Sequence, residues 1–307
     1  MRSIYNPSVN IIRDSEIDFN YIPTPNSKRA VAQIIDDFRK GLRSFHVIGS
    51  YGTGKSAFLW AIEQSLIGKK PYFNVASLTK GRADVIRLVG NFKSLIKEFE
   101  ELLHIGQSES AEQIFSEIFN RYHALGKDGL LLIEIDEFGK FLEYAAKNNP
   151  ERELYFIQQL AEFINNPKFN IILVATIHQS FESYGFGLSN SERQEWAKVK
   201  GRYKEITFNE PVEQLLYLAS EHIQNAFDFE GSKKNLKASL LLFNQSKAFS
   251  FDEAFSKDVN AKIFPVDLLA ANVLTLALQR YGQNERSLFS FLESSDYTSI
   301  SKFAASS

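Results

Sequence analysis

Apolar residues recur along this chain in two rhythms. Short unbroken runs bounded by turn residues mark buried strands at residues 43–48, 72–75, 130–135, 171–175 and 203–208. Between them runs the three-to-four spacing of amphipathic helices. It covers 27–40, where Ala30, Ile34, Ile35 and Phe38 share a face, then 57–66, and then about 85–104, 110–125 and 151–165. Strands alternating with crossover helices predict an α/β fold, a parallel central sheet flanked by helices. Beyond Pro211 only helical patterns remain, at about 212–227, 234–243 and 266–281, with a last one from Glu285. The expected division is an N-terminal arm over 1–26, an α/β core over 27–210 and a smaller all-helical domain over 211–307 with a frayed Ser-rich end.

Composition narrows the function classes. Of 307 residues, 44% are hydrophobic and 27 are Phe, which supplies a core for both parts. Lys and Arg number 35 against 37 Asp and Glu, so no global basic field draws the chain to nucleic acid. Any such contact must be local, and the basic segment Lys198, Lys200, Arg202 and Lys204 is diluted by Glu192, Glu195 and Glu205. The absence of cysteine excludes disulfides, thiolate zinc sites and a Cys nucleophile, and it fits a reducing cytosol. No run approaches the ~18 apolar residues of a membrane span, so the expectation is a soluble cytoplasmic protein.

The strand at 43–48 runs into Gly49-Ser50-Tyr51-Gly52-Thr53-Gly54-Lys55-Ser56, and a helix follows. This is G-x-x-x-x-G-K-[ST] in the setting its chemistry needs. Glycines let backbone N–H groups converge on a phosphate, and the helix adds its positive end. Lys55 can then reach the β- and γ-phosphates, and Ser56 can place a hydroxyl on Mg²⁺. The carboxylates such a site requires stand at the end of the 130–135 run. Asp136 is expected to hold Mg²⁺ through its water shell, and Glu137 to orient and deprotonate the attacking water. Glu134 either shares the side of Asp136, at period two, or sits within an apolar strand against an unnamed partner.

These residues resemble the P-loop ATPases with an additional catalytic glutamate, and the helical tail points to their AAA+ branch. That resemblance implies a polar γ-phosphate sensor at the end of the next strand, Ile171 to Gln179. His178 or Gln179 holds the position, with Thr176 behind them and no Asn. Gly201-Arg202-Tyr203 is similar to the segment that supplies a catalytic arginine to a neighbouring subunit's nucleotide, although Val199 replaces the first arginine of the usual pair. The alternative for Arg202 is a surface cation folded onto its own core. Arg286, in the first turn of the last helix, matches the arginine with which AAA+ lids close over the γ-phosphate; a local salt bridge is the alternative. Tyr21-Ile22-Pro23 is placed like the adenine-contacting segment of origin-recognition and related ATPases, or simply packs an N-terminal arm.

The motifs together, with His178-Gln179-Ser180-Phe181 and Asn284-Glu285-Arg286-Ser287-Leu288-Phe289, look like bacterial ATP-binding proteins of antiphage and restriction-type systems. The function this implies is Mg²⁺-dependent ATP hydrolysis driving a conformational change, with a homo-oligomer or partner protein carrying sensor or effector parts. A slow-turnover nucleotide-gated switch is the alternative. Transfer of the γ-phosphate to another acceptor is weaker, because Glu137 suits water activation.

Overall fold

The computed structural model describes residues 10–13, 21–51, 53–106, 111–208, 212–226, 233–246 and 253–281. Five strands form one parallel sheet: β1 Ser44–Ile48, β2 Ala83–Val89, β3 Leu130–Asp136, β4 Ile171–Ile177 and β5 Lys204–Thr207, in the order β2-β3-β4-β1-β5. The strands β3 and β4 are buried at every position, as a sheet covered on both faces requires. Their unbroken apolar runs are the sequence's record of that burial. An additional strand, β4, separates β1 from the acidic strand β3.

Helices α1 Pro25–Arg39 and α2 Lys55–Leu66 cover one face, packing Val31, Ile34, Phe58 and Leu59 on Phe45, Val47, Leu132 and Val174. The opposite face carries α3 Leu95–Leu102, α4 Ala111–His123, α5 Gly139–Lys147, α6 Pro150–Ile164 and α7 Asn190–Lys200. There Phe99, Ile118, Leu142, Phe156 and Trp196 close over Ile133, Ile135, Leu173 and Ala175. A separate apolar cluster joins α8 Val212–Ala226, α9 Lys233–Ser246, α10 Glu253–Lys262 and α11 Leu268–Tyr281 through Leu216, Ile223, Phe243, Val259 and Leu268. The fold is therefore α/β, a parallel sheet between helices followed by a helical region. Among the described residues no helix is long and apolar enough to cross a membrane.

Two expected elements are corrected. Residues 72–75 form no strand, since Phe73 and Val75 are buried against the α2 face and Tyr72 packs beside Trp60. Their apolarity serves side-chain packing and no ladder. The missing strand is β2, which overlaps the start of the pattern read as one helix over about 85–104. Val85 faces the α2 side while Ile86 and Leu88 face the other, and this two-sided burial imitates a helical rhythm. Gly90 ends β2, and Ser94, accepting from the Lys97 amide, starts α3. The first helix begins at Pro25, two residues before the expected start, because Thr24 caps it by accepting from the Ser27 amide. Helices α5, α7 and α10 are additional to those read from the sequence.

Candidate functional site

The site is built at the carboxyl ends of β1, β3 and β4. Gly49 follows β1 and threads between two strand ends, its amide donating to the Ile177 carbonyl at 3.2 Å. A Cβ here would lie 2.1 Å from the Phe208 carbonyl oxygen, so only glycine lets the loop start at this height. Gly54 sits at φ +80°, the left-handed region, and turns the chain into α2. Whereas α1, α3, α6 and α7 each have a side-chain cap, α2 has none. Its first-turn amides and positive dipole end are left for an anion.

Lys55 opens α2 and is 95% buried by its neighbours, being only 5% exposed. Its ammonium donates to the Gly49 and Ser50 carbonyls, both at 2.8 Å, and Thr53 donates to the Ser50 carbonyl at 2.9 Å. Burial lowers the Lys55 pKa to about 8, against the raising effect of Asp136 and Glu137. Ser56 follows, half-buried in the first turn. Gly52 and Arg286 lie outside the described residues.

Asp136 ends β3 and is buried. Its Oδ1 accepts from the Thr176 hydroxyl at 2.6 Å and from the Glu137 amide at 3.1 Å. Both bonds land on one oxygen, which leaves Oδ2 as a free hard donor. With the Ser56 hydroxyl this set fits Mg²⁺, a cation that takes one or two protein oxygens beside phosphates and water. Among the described residues no group of three or more His, Asp or Glu is placed to hold a metal ion.

Glu137 is turned at φ +51°, unusual for a residue with a side chain. The turn is held at its amide, which donates also to Thr176 Oγ1 at 2.9 Å, and at the next amide, Phe138 to the Thr176 carbonyl at 2.9 Å. Burial and then Asp136 raise the Glu137 pKa, opposed by Lys140 and Lys55. Thr176 is thus the clamp between the two acids and β4, more than a residue standing behind the sensor. Gly90 is a second participant the sequence did not flag. Its amide donates to the Asp136 carbonyl at 2.7 Å, and a Cβ would lie 2.0 Å from the Glu137 carbonyl oxygen.

At the end of β4, His178 stacks on Tyr51 of the loop, with ring centroids 3.5 Å apart and planes 22° from parallel. Both imidazole nitrogens are buried and unpartnered. Burial, Lys55 and Lys140 lower its pKa to about 3, so the ring is neutral and keeps one donor and one acceptor. Gln179 is exposed. Lys140 was also missed. It stands one helical turn after Glu137, paired with Glu143 at 3.2 Å, and its charge acts on Tyr51, Glu137 and His178.

Glu134 shares the α2 face with Asp136, as period two allows, and is completely buried. Arg87 is its register partner on β2, yet that guanidinium makes a bidentate pair with Glu63 of α2 at 2.6 and 2.7 Å. Both Glu134 oxygens are unpartnered, and burial, then Glu63, push its pKa well above the usual value.

Arg202 stands apart. Two residues before Lys204, which is level with Phe45, it lies beside Arg43 in register, six residues below Gly49. At ~3.3 Å per residue that is roughly 20 Å from the loop that opens at Gly49. Its guanidinium bonds Glu162 at 2.5 and 2.7 Å and the Lys198 carbonyl at 2.7 Å, folded onto its own core. Neighbouring cations are likewise engaged, Lys198 by Glu195 and Lys200 by Glu182 and Glu205. Tyr21 packs edge-on against Tyr72 and Phe73, Ile22 packs against the helical cluster, and Pro23 is half-buried.

No family model matches the chain, and no curated protein matches it. Among solved structures it is similar to the ORC2 protein of Aeropyrum pernix in ADPNP–ADP complexes, with 16% identity over 84% of this chain and 74% of that one and a TM-score of 0.47. The ADP form of the same protein gives 16% identity, 88% and 68% coverage and a TM-score of 0.46. Drosophila ORC bound to DNA gives 12%, 86% and 65%, with a TM-score of 0.41.

Proposed function

We propose that the chain binds ATP with Mg²⁺ and hydrolyses it, as an AAA+ type module whose output is a change of conformation. One observation carries this reading: Lys55, buried at the uncapped start of α2, lies within the electrostatic field of the Asp136 and Glu137 carboxylates at the end of β3. A buried cation, an open helix N-terminus and a constrained acid pair are what a triphosphate and an attacking water need.

In this reading the loop 49–56 grips the phosphates, and Lys55 exchanges its bonds to the Gly49 and Ser50 carbonyls for β- and γ-phosphate oxygens. Ser56, and Asp136 through the water shell, would hold Mg²⁺, which would supply charge neutralisation at the phosphates. The turn fixed by Thr176 aims Glu137 at the water, and its raised pKa brings it nearer the working range of a general base. Neutral His178 donates to the γ-phosphate, and Arg286 closes over it from the helical region as a lid. Tyr21, Ile22 and Pro23 contribute to the adenine side through their backbone, the Tyr21 ring being engaged in the core.

A role in a bacterial defence-type or DNA-transaction complex, in the cytoplasm and with a homo-oligomer or partner protein, rests on the motif resemblance. The paired cations at 198–202 favour partner protein over direct nucleic-acid contact. One observation favours the slow-turnover switch for a lone copy: Arg202 is too far from its own loop to act there. Phosphate release with Mg-ATP, measured for wild type and Lys55→Ala, tests the proposal. Loss of both binding and release in the variant is expected, and a variant turning over at the wild-type rate overturns it.

A further inference from the structure

The segment after β4 holds a tyrosine that the hydrolytic scheme does not use. The 3-10 helix Phe181–Gly185 folds back under the strand end and brings Tyr184, almost fully buried, over the start of α5. A Cβ on Gly139 would lie 2.3 Å from the Tyr184 hydroxyl oxygen, 2.6 Å from its Cζ and 2.8 Å from Cε1. The ring edge therefore rests on the backbone of Gly139, two residues after Glu137. The same oxygen accepts from the His178 amide at 3.2 Å.

The segment is seated independently of the site. Phe181 is fully buried, its carbonyl accepts from the Trp196 indole at 2.8 Å, and the Trp196 ring lies against Gly185, where an added Cβ would meet it at 3.2–3.3 Å. Tyr184 thus stands on a packed base and touches two parts of the site. One is the strand end whose His178 stacks on Tyr51 of the phosphate loop. The other is the turn that aims Glu137, itself at φ +51° and held by Thr176 on its opposite side.

We infer that Tyr184 is a positioning residue that couples the His178 strand end to the Glu137 turn, so that phosphate contact at Tyr51 and His178 sets the aim of the catalytic carboxylate. Thr176 fixes the turn at its start; Tyr184 fixes it at its end. The bond to the His178 amide makes the second constraint depend on where the strand end sits. Glycine at 139 is part of the device, because any side chain there displaces the ring.

This inference rests on the ATPase reading, and the test separates the two. Tyr184→Phe keeps the ring against Gly139 and removes only the acceptor of the His178 amide. The expected result is a fall in kcat for phosphate release of about tenfold with KM for Mg-ATP and the thermal midpoint nearly unchanged, since only aiming is lost. Tyr184→Phe added to His178→Ala should cost little more than His178→Ala alone, because both act through one link. A kcat within twofold of wild type, additive double-variant losses, or parallel falls in kcat, KM and thermal midpoint would overturn the coupling. If the wild-type protein releases no phosphate, the ATPase reading fails by itself, and amide hydrogen exchange decides the coupling. Faster exchange at Phe138 and Gly139 in Tyr184→Phe supports it, and unchanged exchange there overturns it.

Discussion

Replacing Glu134 by glutamine should make the protein more stable at neutral pH, by an amount that grows with pH. Glu134 is fully buried, its oxygens have no hydrogen-bond partner, and the one cation beside it, Arg87, is committed to Glu63. The other charges facing it, Glu63 and Asp136, are carboxylates that raise its pKa further. In the unfolded chain the group titrates near 4.5; in the folded protein it stays protonated well above that. Between the two values the folded state binds one more proton than the unfolded state. Stability is then lost as pH rises, at about 1.4 kcal/mol per pH unit, until the folded pKa is reached. Glutamine has the same shape and no charge, so Glu134→Gln should match wild type within about 1 kcal/mol at pH 4.5. Urea unfolding of both proteins at half-unit steps from pH 4.5 to 7.5 measures the difference directly. A difference that widens above pH 5 by about 1.4 kcal/mol per unit, until the folded pKa is reached, is expected. A flat difference across that range would refute the reasoning, since it would mean that Glu134 is ionised in the fold and compensated by Arg87.

Other consequences can be checked separately. His46 is buried between Phe138, Phe181 and Tyr203 with its pKa lowered from 6.5 to about 3. The stability it contributes while neutral is present above pH 6.5 and lost on acidification at about 1.4 kcal/mol per unit, so His46→Leu should flatten the acid limb of a pH–stability curve. Gly49→Ala should abolish nucleotide binding in calorimetry and cost about 2–3 kcal/mol of stability, because its Cβ meets the backbone of Phe208. ADP binding without Mg²⁺ should weaken above about pH 8, by up to tenfold per unit, as Lys55 loses its proton. Arg202→Ala should leave ADP affinity within twofold and stability within about 1 kcal/mol, its pair with Glu162 being partly exposed. If the arginine serves a second copy, the variant's turnover should no longer rise with protein concentration.

The loop 49–56 and the acid pair 136–137 were legible as a candidate site because each is contiguous in the chain. Gly49 to Ser56 and Asp136-Glu137 carry their chemistry in a few adjacent residues, and the runs of β3 and β4 announce a doubly covered sheet. What was hidden is non-local. Gly90 and Gly139 matter because of a carbonyl and a ring more than forty residues away in sequence, and Thr176 matters because β4 lies beside β3. The strand β2 was misread because burial on both faces erases the alternation that identifies a strand. Arg202 was legible as an arginine at a strand start, yet only the register of β5 on β1 shows its distance from the loop.

The most direct test of the central claim is a single-turnover measurement with Glu137→Gln. Loaded with Mg-ATP in protein excess, the variant should hold ATP with an affinity within a few-fold of wild type, because the loop and Lys55 are untouched, and should release phosphate at least a hundredfold more slowly. Hydrolysis at the wild-type rate by Glu137→Gln would contradict the assignment of this acid, and with it the chemistry assigned to the site.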